Sequence, residues 1–252
     1  MTSPIPVKGL FIAGSNTEVG KTTVMCAIAR SLVRAGWRVG VYKPAASGAV
    51  RRDGQLVSED AELLWEAAGR PQTLAEVCPQ VFEAPLAPHL AASAEGKRLD
   101  AQLLCAGAEA WPADQWDVLL VEGAGGLLSP IHDELLVADL ALDLGYPVLL
   151  VVPNTLGVIG QTLQTLLAAQ AYRPNLPACI RHRQSATTAS DPLRIAGIVA
   201  NQVQPPSQDD SVTSNLTQLR KWCAAPILGE LLYDGQAVMP EVEWGQVIGE
   251  RR

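Results

Sequence analysis

A lysine and a threonine stand side by side at Lys21 and Thr22, directly behind the run Gly14-Ser15-Asn16-Thr17-Glu18-Val19-Gly20. In such a loop backbone N–H groups converge on an anion, and a helix that starts at its end adds the positive pole of its dipole. A lysine at that point reaches the β- and γ-phosphates of a nucleotide, and the neighbouring hydroxyl is placed to bind Mg²⁺. The apolar stretch 9–13 (GLFIA) leads into the loop and an amphipathic stretch follows, which is the strand–loop–helix context that phosphate binding requires. Five residues lie between the two glycines where the strict pattern has four, so by strict count Ser15 takes the first glycine position. A glycine-rich turn that merely caps a helix is the plainer alternative. The alignment of strand, Gly-Lys-Thr and helix argues against it.

Three further groups suit the same chemistry. Glu122 ends the apolar run 117–121 (DVLLV) and is followed by Gly123, Ala124, Gly125 and Gly126. In open α/β sheets ligands bind at that end of the strands, and a carboxylate there completes a Mg²⁺ shell. Lys43 and Ser47 lie in Tyr42-Lys43-Pro44-Ala45-Ala46-Ser47-Gly48, after the second apolar run. A second lysine beside the first neutralises charge on a transferring phosphoryl group, and the serine can bond a polar substrate. Read alone, this segment would be an ordinary surface loop. Asp60, in Ser58-Glu59-Asp60-Ala61, reads more simply as part of a helix N-terminal cap than as a metal ligand.

The elements that must position these groups alternate. Strands are predicted at 9–13, 38–42, 117–121, 147–152, 194–200 and 226–231, mostly as continuous apolar runs, which is how strands buried on both faces of a parallel sheet read. Helices are predicted at 22–34, 59–68, 99–110, 157–172 and 212–223, the first with Leu32 and Val33 on its apolar face and Gly36 as its stop. The alternation implies an α/β, P-loop NTPase-type, doubly wound and mostly parallel sheet with helices on both faces. No repeat or domain boundary is visible, so 1–252 reads as a single P-loop α/β domain. The polar, proline-bearing stretch 173–193 reads as an inserted surface loop.

The formal net charge of −7 argues against nucleic acid or an anionic membrane as partner, since both need a cationic face. Five scattered cysteines without C-x-x-C spacing predict reduced thiols rather than disulfides or zinc. No export signal or membrane-spanning run is apparent, so the chain reads as cytoplasmic.

Taken together, the segments GSNTEVGKT, YKPAASG, SEDA, APLAPHLAA, VEGAGG, LGVIGQTLQT and GIVANQV resemble, in order, those of the dethiobiotin synthetase family. The extra residue in the phosphate loop is itself a feature of that family. The resemblance runs from about residue 9 to 232. It implies that 7,8-diaminononanoate, CO₂ and ATP become dethiobiotin, ADP and phosphate through a carbamate and a carbamic-phosphoric anhydride, with Mg²⁺ as cofactor, in a homodimer. By motif, Lys21 and Lys43 would be catalytic, and Thr22, Asp60 and Glu122 would surround the metal. ATP would meet Glu18, Val19, Gly20, Lys21, Thr22, Thr23, Asp60, Glu122, Gly123, Ala124 and Gly125, with Asn201, Gln202 and Leu231 on the adenine side. Ser47, Asn154, Thr155 and Gly157 would contact the diamine. Only the resemblance moves Asp60 from cap to metal.

Several positions depart from the family pattern. Ser15-Asn16 replaces Thr-Asp, Thr155 stands where lysine is common, and Leu231-Leu232 replaces Ile-Pro. The competing readings are another P-loop synthetase, such as an amidotransferase-type enzyme, or a dimerising switch ATPase. The first would need a glutaminase domain and the second an additional lysine early in the loop, where this chain has Ser15-Asn16.

Overall fold

The computed structural model describes residues 7–173, 193–205, 209–233, 235, 237–238 and 242–248. In chain order β1 (Gly9–Gly14) leads through the glycine loop into α1 (Lys21–Arg34), then β2 (Val39–Tyr42). A small hairpin, β3 (Val50–Arg52) and β4 (Gln55–Val57), precedes α2 (Glu59–Ala67), α3 (Leu74–Val77), α4 (Pro88–Ala94) and α5 (Ala101–Ala106). Next come β5 (Val118–Gly126), the hairpin β6 (Pro130–His132) with β7 (Leu135–Leu136), α6 (Val137–Leu144), β8 (Val148–Pro153) and α7 (Val158–Ala171). The last part holds β9 (Ile195–Asn201), α8 (Val212–Trp222), β10 (Ile227–Leu231), β11 (Ala237–Val238) and α9 (Trp244–Ile248). Most of the predicted insertion, 174–192, lies outside the described residues.

Seven strands form one sheet in the order β11-β10-β9-β8-β1-β5-β2. All neighbours run parallel except the edge strand β11, which pairs antiparallel with β10. The chain leaves β1 for the β2 side and later builds outward through β8, β9 and β10 on the other, so strand order reverses beside β1. In open α/β sheets ligands bind at the carboxyl ends of the strands at such a point. All of β1, and Val148–Val152 of β8, are buried, as double-sided burial demands.

Alternation along β5 shows helices on both faces. Glu122 points toward α1, where the Thr22 hydroxyl reaches it, while a Cβ on the next residue, Gly123, would meet Val137 of α6. Helix α1 buries Val24, Ile28 and Leu32 at four-residue spacing with Met25 and Ala29 beside them. Val33 differs from expectation: at 36% exposure it lies on the solvent side of that stripe. Gly36 does close the helix, with a φ of 85° and its N–H on the Val33 carbonyl. Strand β5 also runs further than the apolar run predicted, through Glu122 to Gly126, so the acid sits within a paired strand rather than at its end.

Candidate active site

The glycine loop joins the end of β1 to the first turn of α1. Ser15 N–H bonds the Val151 carbonyl of β8, and the Asn16 side chain accepts the Thr17 N–H at 2.8 Å. Glu18 and Gly20 take left-handed backbone, φ 59° and 82°. Gly20 could be no other residue without cost, because a Cβ there would run into the Asn201 amide nitrogen. That nitrogen donates to the Val19 carbonyl at 3.0 Å, so the end of β9 braces the loop from behind. The Ser15 hydroxyl donates to Gln161 on α7 at 3.2 Å, a second brace.

In front of the loop lies a cluster of four ionisable groups. Lys43, on the residue after β2, places its Nζ 2.6 Å from Asp60 Oδ2 and 2.6 Å from Glu122 Oε1. The Thr22 hydroxyl donates to the same Glu122 oxygen at 3.0 Å. Glu122 is 2% exposed, and its other oxygen, Oε2, finds no hydrogen-bond partner among the described residues. Burial works against the charge on Lys43, but the Glu122 and Asp60 carboxylates outweigh it and hold the ammonium above the ordinary lysine value. Lys21 goes the other way: burial pulls it below the ordinary value, and Glu122 offsets only part of that. Nearby Cys26 and Cys78 are pushed up to about 12 by burial, so their thiols stay protonated and inert at neutral pH.

Asp60 does not cap its helix. Ser58 is the N-cap of α2 and accepts the Ala61 N–H, which leaves the Asp60 carboxylate free to reach Lys43. The capping role in that segment therefore falls to Ser58, and Asp60 pairs with Lys43.

The donor set suits a hard divalent cation. One oxygen of Glu122 is buried and unbonded, the Thr22 hydroxyl adjoins it, and Asp60 faces the opening with its side chain 50% exposed. Among the described residues no trio of His, Cys, Asp and Glu forms a closed metal cage. Mg²⁺ is held in just this way, by one or two carboxylates with water and phosphate oxygens supplying the rest.

These groups line a cleft of about 670 Å³. Of the predicted residues it gathers Glu18, Gly20, Lys21, Thr22, Thr23, Lys43, Ser47, Asp60, Glu122, Gly123, Ala124 and Gly125. It adds Thr17, the segment 85–88, Ser129 and Pro130, none of which sequence reasoning assigned to a site. The segment 85–88 lies within APLAPHLAA, so the motif was visible but no chemistry in it pointed to a ligand.

The remaining predicted residues sit elsewhere. Val19 is 2% exposed and contributes its carbonyl to Asn201. Asn201 is 5% exposed and uses its amide N–H on the loop. Gln202 donates to Glu230 at 2.8 Å, and Leu231 is buried in the core with its carbonyl on the Gln202 N–H. Asn154 is 1% exposed and points inward, bonded to Glu230, the Val212 carbonyl and Asn215. Its side chain is engaged within the protein, so what the loop 153–157 presents outward is Thr155, the 83% exposed Leu156, and Gly157 as the left-handed N-cap of α7.

A phosphate loop at the reversal point of a parallel sheet, with two lysines, a hydroxyl and two carboxylates around one cleft, defines a nucleotide-binding protein of the P-loop α/β class. A family model described as an AAA domain matches residues 8–240. A Rhodopirellula baltica protein named ATP-dependent dethiobiotin synthetase BioD is 38% identical over 88% of this chain and 82% of its own length. A Pseudescherichia vulneris protein of the same name is 35% identical over 93% of this chain and 88% of its own. The chain belongs to the dethiobiotin synthetase family. The signal recognition particle receptor FtsY of Elizabethkingia anophelis aligns at 15% identity over 97% of this chain and 64% of that one, with a TM-score of 0.48, a likeness too distant to bear on function. Among the described residues no helix is long and apolar enough to cross a membrane.

Proposed function

We propose that this protein converts 7,8-diaminononanoate, CO₂ and ATP to dethiobiotin, ADP and phosphate, acting as one P-loop α/β domain per subunit in the cytoplasm. Family membership supports the reaction, and the observation that carries it onto this chain is the Lys43 ammonium between Asp60 and Glu122, in the same cleft as Lys21 and Thr22. Phosphoryl transfer asks a protein for positioning and charge neutralisation rather than covalent chemistry, and these residues supply both.

One amine adds to CO₂ and loses a proton to give a carbamate. A carbamate oxygen attacks the γ-phosphorus and ADP leaves. The second amine then attacks the carbamoyl carbon, the cyclic urea closes and phosphate departs. Lys21, in the first turn of α1, cradles the β- and γ-phosphates along with the loop N–H groups. Lys43 meets the charge that builds on the transferring group and on the anhydride. Thr22, Asp60 and Glu122 would hold Mg²⁺, which would supply positive charge against the phosphates. Ser47, which lines the same cleft, would orient the diamine.

The outward face of the loop 153–157 suits the carboxylate of the diamine, since it opens the N-terminus of a 14-residue helix. That loop does not line the cleft, so the carboxylate site is best completed by a second copy of the chain. Helix α7 supports a homodimer. It buries only Val158, Thr162 and Ala169, while Leu167 is 64% exposed and Leu156, just before it, 83%.

The test is phosphate release from ATP with Mg²⁺ and bicarbonate, with and without 7,8-diaminononanoate, read with mass spectrometry of the product. Diamine-dependent release with the cyclic urea as product is the expected result. ATP binding without either would overturn the substrate and leave a P-loop synthetase or switch ATPase with another partner.

A further inference from the structure

The carboxyl ends of β8, β9 and β10 carry a polar knot that no step above uses. At its centre is Glu230, on β10. Its Oε1 accepts the Asn154 amide N–H at 2.5 Å and the Gln202 amide N–H at 2.8 Å. Hydrogen bonds to an ionised carboxylate are roughly twice as strong as neutral ones. Both donors are on buried residues, Asn154 at 1% and Gln202 at 8% exposure.

From this centre the knot runs in two directions. The Asn154 N–H donates to the Asn201 carbonyl at 2.7 Å, and the Asn201 side chain donates to the Val19 carbonyl of the phosphate loop. On the other side Asn215 of α8, 3% exposed, donates to Asn154 Oδ1 at 2.8 Å and to the Thr155 carbonyl at 3.1 Å. The Gln202 Oε1 accepts the Tyr233 N–H at 3.4 Å, which ties in the segment after β10.

We infer that Glu230 is a positioning residue that locks the loop 153–157 to the phosphate loop, so that the acceptor site and the nucleotide site are built by one hydrogen-bond network. The reason is the cost of the alternative. Without Glu230, the donors on Asn154 and Gln202 would be stranded in a buried setting, and leaving such a group unmade is dearer than moving it. The loop would turn Asn154 outward to water, and Asn201 would lose the N–H that seats its own carbonyl. Both Gly157, at the head of α7, and Val19 would then shift. The coupling to the nucleotide stands on geometry alone. The identity of the acceptor rests on the function proposed above.

The experiment compares Glu230→Ala and Glu230→Gln in the full chain, measuring KM for the diamine, kcat, equilibrium ADP binding by a fluorescent analogue, and Tm. Both native bonds end on Oε1, so glutamine keeps the acceptor and should stay within about threefold of the parent in every binding readout. Alanine should raise the diamine KM about tenfold and weaken ADP binding severalfold, with a smaller change in kcat. Should Glu230→Ala fail to fold, Asn215→Ala, which frees Asn154 Oδ1 from the α8 side, is expected to shift the same two constants in the same direction. A fall in Tm with unchanged KM and ADP affinity would overturn the inference, as would a glutamine variant as impaired as alanine. If the parent enzyme turns over no diamine, the proposed function fails on its own, and the ADP titration still decides the network.

Discussion

Replacing Lys43 by methionine tests how the charges of the cleft are balanced within the protein. The substitution keeps the bulk of the side chain and removes the ammonium 2.6 Å from both Asp60 and Glu122. The two carboxylates should respond unequally. The Asp60 side chain is half exposed and can rehydrate, so its lost contact is worth well under 1 kcal/mol. The Glu122 side chain is 1% exposed, and its Oε1 keeps only the Thr22 hydroxyl. Stranding one partner of a buried ion pair costs about 3–5 kcal/mol, and Lys21, close enough to feel Glu122, brings the expectation to the lower end, about 3 kcal/mol. For a chain of this size that is a fall in Tm of roughly 6–12 °C. The assay is a thermal or urea melt without nucleotide. Because Lys43 is held above the ordinary lysine value, its contribution is fully present below that value and is lost only as pH rises through the higher folded one. The gap between parent and variant should therefore be flat from about pH 7 to about pH 9. A variant that melts with the parent at neutral pH would refute the claim that Lys43 neutralises a buried carboxylate.

Other outcomes follow from geometry. Gly20→Ala forces a left-handed φ on alanine, at about 1–2 kcal/mol, and drives its Cβ into the Asn201 amide, so nucleotide affinity measured by calorimetry should fall at least about tenfold while the fold persists. Asp117 is held below the usual carboxylate range by its hydrogen bonds to Arg38, a contribution present above its unfolded value and lost as pH falls through the folded one. Because the pair is substantially exposed, Asp117→Asn should cost at most about 1 kcal/mol in urea melts at neutral pH and nothing in strong acid. It should leave turnover unchanged, since Arg38 and Asp117 precede β2 and β5 at the amino-terminal ends of the strands, away from the cleft. If the chain pairs through α7 as proposed, the parent should sediment as a dimer and Leu156→Asp combined with Leu167→Asp as a monomer with crippled turnover, whereas a dimer unaltered by the two changes would remove α7 from the interface.

What the sequence made legible was local. The phosphate loop announces itself because its chemistry, its spacing and the helix it starts are contiguous. Lys43 and Glu122 were readable as ends of apolar runs. Asp60 was not, because its partner is seventeen residues away and a Ser-Glu-Asp run at a helix start has a sufficient local explanation; Ser58 provides that explanation in the structure. The inward turn of Asn154 and its tie to Glu230 depend on three strands ending together, which no window of sequence contains. Helix α6 escaped prediction because it is only eight residues long and its polar positions, Asp139 and Asp143, are buried along with the apolar ones, so its pattern does not mark a solvent face. Strand β5 was cut short in prediction at its glycines, yet Gly123 continues the pleat because Phe11 and Val137 close over the space a side chain would take.

The position of Lys43 gives the cleft an ion-exchange character. Its ammonium is already spoken for by two anions, and Glu122 supplies the stronger hold. A polyphosphate arriving without a divalent counter-ion must compete with both carboxylates for that lysine and gains little from winning it. One arriving with the counter-ion would offer the carboxylates a replacement cation and leave the lysine for the phosphates. The ion-paired arrangement would thus favour a nucleotide by what accompanies it, before any part of the base or sugar is read.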